Sequence, residues 1–117
     1  MSKRKDKAQQ YAIFFYRLQQ LDKRWVSECR FHDERMWKFD FAFPPGKLAI
    51  EVDGGIWTAG RHSGGQGQID DMEKMNNAVA LGWQVLHFTP QQVNGPEAFR
   101  FLHWVWMKNM PIKLTVD

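Results

Sequence analysis

In the stretch FDFAFPPGKLAIEVDGG, from Phe39 to Gly55, three carboxylates (Asp40, Glu51 and Asp53) interrupt an otherwise apolar run. Carboxylates on apolar strands are costly unless something pairs them. Pro45-Gly46 suits the centre of a tight turn, and aromatic and β-branched residues flank it, so the stretch predicts a β-hairpin. With those two residues as the loop, Pro44 faces Lys47, Asp40 lies opposite Glu51, and Lys38 lies opposite Asp53. Strand alternation then puts Lys38, Asp40, Ala42, Ala49, Glu51 and Asp53 on one face. The other face holds Trp37, Phe39, Phe41, Phe43, Leu48, Ile50 and Val52, which is pure core. Opposed residues hold their Cβ atoms about 4.5–5.5 Å apart, so Asp40 and Glu51 repel unless a cation lies between them. Clustered carboxylates are ligands for a hard cation, and Mg²⁺ takes one or two of them plus waters and phosphate oxygens. The competing reading is a solvent-facing polar strand face with Lys38–Asp53 as a surface ion pair.

The elements that must position these residues are legible as patterns. Ala12, Phe14, Phe15, Leu18 and Leu21 recur at three- and four-residue spacing and predict a helix from about Lys7 to Arg24. Strands follow over Trp25–His32, Trp37–Phe43 and Lys47–Asp53, with HDERM and PPGK as turns. Residues 54–68, GGIWTAGRHSGGQGQ, read as a glycine-rich loop, long enough in a small domain to suggest a functional role. A helix is predicted over Ile69–Leu81, stopped by Gly82, then a strand over Gln84–Thr89 and a closing helix over Pro96–Met107. Phe99, Leu102 and Val105 or Trp106 line one side of that last helix. The order α-β-β-β-α-β-α predicts an α/β fold, a mixed central sheet flanked by helices.

The chain has 117 residues, so a single domain spanning 1–117 is the expectation, with a frayed basic end over 1–6. Sixteen Lys and Arg against thirteen Asp and Glu give a net charge of +3, which permits a polyanionic partner without demanding one. Cys29 is the only cysteine, which excludes an internal disulfide and a cysteine-based zinc cluster. No apolar run is long enough to span a membrane, and no signal-peptide core follows the basic start, so an intracellular protein is expected.

Several further residues could take part. His62, beside Arg61 in the glycine loop, could activate water, contact a phosphate or complete a metal site, or be an inert loop histidine. Glycines 54, 55, 60, 64, 65 and 67 would let backbone approach a phosphate chain or would equally mark a disordered flap, and no GK[ST] follows to make a nucleotide P-loop. Trp57 could stack on a base or pack in the core. Trp83, His87, Trp104 and Trp106 fall in regular elements and are expected to pack, with the aromatics near Trp104 as a candidate exposed patch. Glu28 is either a further ligand or a solvent position. Basic residues at 3, 4, 5, 7, 23, 24, 30, 35, 38 and 61 are candidates for a phosphate-contacting surface.

The run WKFDFAF…KLAIEVDGGIW…GRH…DDMEKMNNAVALGWQVLHFT resembles the PD-(D/E)xK nuclease superfamily, over Trp25 to about Val93. It looks most like that superfamily's small phage and prophage endonucleases of the very-short-patch-repair-like and "domain of unknown function 559"-like types. The resemblance implies a restriction-endonuclease-like core and a Mg²⁺-dependent DNA endonuclease, with Mn²⁺ able to substitute. It implies Asp40 and Glu51 as metal ligands, helped by Asp53 and the Val52 carbonyl. Asp53 stands where the superfamily has Lys. The replacement is then Lys74, in Asp71-x-x-Lys74-x-x-Asn77, with Met72, Met75 and Val79 as the flank that packs on the sheet, or else Lys38; the alternative for Lys74 is an ordinary solvated helix charge paired with Asp71. DNA is the implied partner, branched, nicked or mismatched DNA the candidate substrates, a homodimer the form that cuts two strands, and a bacterial or phage-infected cytoplasm the setting. The missing motif lysine supports a rival, a catalytically inactive nucleic-acid-binding module on the same scaffold. A purely structural or protein-interaction domain is a third reading.

Overall fold

In the computed structural model, residues 6–54 and 65–109 are described. The basic end at 1–5 and most of the glycine loop, with Trp57, Arg61 and His62, lie outside them. The elements are α1 (Lys7–Gln10), α2 (Ala12–Leu21), β1 (Val26–Arg30), β2 (Lys38–Phe43), a 3-10 turn (Pro44–Gly46), β3 (Leu48–Val52), α3 (Gly65–Ala80), β4 (Gln84–Phe88), α4 (Pro90–Asn94) and α5 (Glu97–Asn109). They form one four-stranded sheet in the order β1-β2-β3-β4. β2 runs antiparallel to both β1 and β3, and β4 is parallel to β3. This is an α/β fold with a mixed sheet between helices. No helix among the described residues is long and apolar enough to cross a membrane.

The hairpin register is the one its turn dictates. Phe41 pairs with Ile50, Ala42 with Ala49 and Phe43 with Leu48. The Lys47 N–H donates to the Pro44 carbonyl at 3.1 Å, and Lys47 takes the left-handed conformation (φ 52°, ψ 48°) that closes the turn.

Both sheet faces are covered. On one, Phe41, Phe43, Leu48, Ile50 and Phe88 pack against Phe14 and Leu18 of α2, Val93 of α4, and Ala98, Leu102 and Val105 of α5. On the other, Ala42 and Ala49 lie under Ala78 of α3. Three alanines in contact let α3 sit close to the sheet, a geometry larger side chains would forbid. The expected packing flank of α3 is therefore shifted. Met75 packs, but Met72 and Val79 are exposed, and the buried position is Ala78.

Alternation fails at one place. Phe39 belongs to the α3 side with Ala42 and Ala49, and Trp37 stacks on Phe31 at 6.2 Å beside that cluster. Phe31 and Phe39 stack at 4.0 Å and Trp83 closes on Phe39 at 4.9 Å. The cause is an interruption of the pleat at Asp40. There the β2–β3 ladder gives way to side-chain bonds, and Glu28 on the adjoining strand has φ 52°, in the left-handed region. A local break of this kind re-aims side chains.

The largest differences from the sequence reading lie at α1, α3 and α4. The first helix is broken at Tyr11 (φ −124°, ψ 55°), which divides α1 from α2. α3 begins at Gly65, a turn before Ile69, and so absorbs Gly65 and Gly67 of the supposed loop; Gln66 Nε2 donates to Asp70 Oδ1 at 3.0 Å across that first turn. α4 was not anticipated, although Thr89-Pro90-Gln91-Gln92 carries its signal. Thr89 and Gln92 form a reciprocal capping box with Pro90 at the first turn. Gly82, at φ 90°, ends α3 as expected.

Candidate active site

Where the β2–β3 ladder stops, two carboxylates take over the backbone's hydrogen bonds. The Val52 N–H donates to Asp40 Oδ2 at 2.7 Å, and the Asp40 N–H donates to Glu51 Oε2 at 3.0 Å. Each carboxylate is thereby fixed by the strand that carries the other. This holds two acids side by side at the end of a rigid hairpin. Glu51 is buried, with 9% of its surface exposed, and Asp40 is largely so.

Two lysines bracket the pair. Lys74 Nζ, brought in by α3, lies 2.8 Å from Glu51 Oε1. Lys7 Nζ, from α1, lies 3.9 Å from Asp40 Oδ1. Burial still dominates the electrostatics. It pushes the Asp40 carboxyl above its ordinary range, against the Val52 N–H and the two lysines, with the Glu28 charge adding to the rise. Glu51 is also pushed up, first by burial and then by the charge of Asp40, with Lys74 opposing. The site therefore holds its two negative charges under strain and would accept more positive charge than it has.

Asp53 does not join this pair. Its N–H donates to the Phe88 carbonyl at 2.8 Å, and its carboxylate meets His87 Nδ1 at 2.6 Å. That hydrogen bond raises the His87 pKa, against the opposing effect of burial. Nor does Lys38 face Asp53. It lies opposite Arg30 on β1, and its Nζ is 3.6 Å from Glu28 Oε1. The β2–β3 pairing ends at Phe41–Ile50, before that pair can form. Among the described residues no group of three or more His, Cys, Asp or Glu side chains is gathered for a metal. The oxygen donors are the Asp40–Glu51 pair, and two carboxylates completed by water suit Mg²⁺. Val52 enters through its N–H. His62 lies outside the described residues.

Two residues of the site escaped the sequence reading. His87, expected to pack, is 45% exposed at its side chain and stands beside Glu51 in the parallel β3–β4 register. The alternation of QVLHF sends Val85 and His87 to the α3 side, but parallel register cannot be read from sequence. Lys7 counted only as one of many basic residues. Trp104 and Trp106 divide: Trp106 packs on Trp25 and Phe43, while Trp104 is 54% exposed.

No family model, no curated protein and no solved structure matches this chain.

Proposed function

We propose that the chain is a Mg²⁺-dependent DNA endonuclease with a restriction-endonuclease-like core. The observation that carries this reading is the reciprocal Asp40–Glu51 pair with Lys74 on Glu51 Oε1. Asp40 and Glu51 would hold the metal, with the Val52 carbonyl as a further oxygen donor. When bound, the ion would polarise a phosphoryl oxygen and acidify a water. Lys74 would set positive charge where negative charge grows on the phosphate. The α3 helix thus supplies the lysine that β3 lacks. Net charge +3 and the lysines around the acids favour a polyanionic substrate.

The test is cleavage of linear duplex, single-stranded, mismatched and four-way-junction DNA in Mg²⁺, Mn²⁺ and EDTA. Metal-dependent cutting that Asp40→Asn abolishes is the expected result, and the preferred DNA identifies the substrate class. One observation favours a second reading. Asp53, in the motif-lysine position, is tied to His87 and so offers no cation there. DNA binding without cutting on every substrate would establish a non-catalytic binding module instead.

A further inference from the structure

We propose that Lys7 is a second phosphate-handling lysine of this site, which exchanges Asp40 for a substrate phosphate when a cation occupies the carboxylate pair. This rests on the nuclease reading and deepens it.

The two lysines are not equivalent. Lys74 is engaged, with Nζ at hydrogen-bond distance from Glu51. Lys7 is not, because 3.9 Å exceeds the reach of an N–H···O hydrogen bond. Its side chain is nevertheless only 18% exposed, against a 17% exposed Asp40 side chain, so the contact is electrostatic and partly desolvated. A lysine head is a compact charge on a flexible stem, suited to changing partners.

Its placement is built by several contacts. Asp6 caps α1 by accepting from the Gln9 N–H at 2.9 Å. The Lys7 N–H donates to Glu28 Oε2 at 3.0 Å, and Glu28 holds a left-handed backbone, rare for a residue with a side chain. The break at Tyr11 frees α1 from the axis of α2, so the helix carrying Lys7 is anchored to β1 and not merely continued from α2.

Charge balance gives the contact a use. Without a cation, each carboxylate has one lysine as counter-charge. A divalent cation between Asp40 and Glu51 would neutralise both acids and leave the lysines in excess. Lys7, without a hydrogen bond to hold it on Asp40, is the one to turn toward a phosphodiester, whose negative charge increases in the transition state.

The experiment uses the full chain with Lys7→Met and Lys7→Arg. Affinity for a short DNA duplex is measured in Ca²⁺ across a salt series, and Mn²⁺ affinity is measured without DNA. Lys7→Met should reduce the slope of log K against log salt by about 0.9, one phosphate contact, and Lys7→Arg should restore it. Mn²⁺ should bind Lys7→Met more tightly, since Asp40 loses a competing cation. Where Lys7→Met does not fold, Lys7→Gln takes its place. An unchanged slope with a lowered melting temperature would make Lys7 a structural ion pair, overturning this proposal and leaving the nuclease reading intact. A parent protein that binds no DNA at any salt concentration would overturn both.

Discussion

At the scale of residues, the site is two acids that burial makes uncomfortable and two lysines that partly relieve them. A folded pKa raised above its ordinary value means that ionisation opposes folding. The stability tied to Asp40 and Glu51 is full below the ordinary carboxylate range and is lost as pH rises through their raised values. Asp40→Asn keeps an acceptor for the Val52 N–H and removes the charge. It should therefore melt higher than the parent at neutral pH in EDTA while losing cleavage. Mg²⁺ should stabilise the parent by about 2.7 kcal/mol at a hundredfold excess over its dissociation constant, seen as a raised melting point, and leave the melting point of the variant unmoved. A parent protein that Mg²⁺ does not stabilise would count against the metal site. Lys74→Met should lower kcat by about 10²–10³-fold, as loss of a charge-stabilising donor does elsewhere, with DNA binding largely retained. A variant that cuts at the parent rate would return the lysine to the role of a structural counter-ion.

At the scale of elements, function depends on α3 lying close to the sheet and ending where it does. Ala42, Ala49 and Ala78 set the approach, and Gly82 turns the chain back into β4. A Cβ on Gly82 would meet Lys47 Cδ at 3.6 Å, ordinary contact, so the penalty there is conformational. Gly82→Ala should cost about 1–2 kcal/mol, read from denaturant unfolding, because φ 90° is strained for any residue with a Cβ. On the opposite face, Leu102→Ala should cost about 2–5 kcal/mol, since Leu102 is fully buried among Phe and Leu side chains. An Leu102→Ala variant as stable as the parent would mean that α5 is not integral to the core. The pattern of α5 is legible because Phe99, Leu102 and Val105 or Trp106 repeat on one side, although the structure buries Ala98 with Leu102 and Val105 and leaves Phe99 and Trp106 partly buried. That of α3 was misjudged because its contact surface is made of alanine, which hydrophobic periodicity underweights beside Met and Val.

At the scale of the whole molecule, the pH response collects groups from different elements. His87 is raised by its bond to Asp53, so its contribution is full below the ordinary histidine value and is lost as pH rises through the raised one. Asp22 works oppositely: its hydrogen bond from Arg24 lowers its pKa, and that stability is lost only as pH falls through the lowered value. Asp22 acts only below the ordinary carboxylate range, so above it the raised groups, Asp40, Glu51 and His87, set the slope. In EDTA the melting temperature should therefore fall as pH rises from about 5 to about 8, and His87→Gln should flatten the upper part of the decline. A melting temperature that climbs across that range would contradict the assignment of these groups.

The α/β order, the hairpin register and the opposition of Asp40 to Glu51 follow from the sequence by itself. Each depends on local rules, the period of apolar residues and a Pro-Gly turn that fixes which residues pair. The partners of the remaining charges were decided only by the tertiary structure. Lys74 reaches Glu51 because three alanines admit a helix. His87 meets Asp53 through parallel register, and Lys7 meets Asp40 through a helix broken at Tyr11. Phe39 changes faces because carboxylates replace the ladder at Asp40. These contacts join segments far apart in the chain, and no local period or spacing encodes which long-range surfaces will pack together.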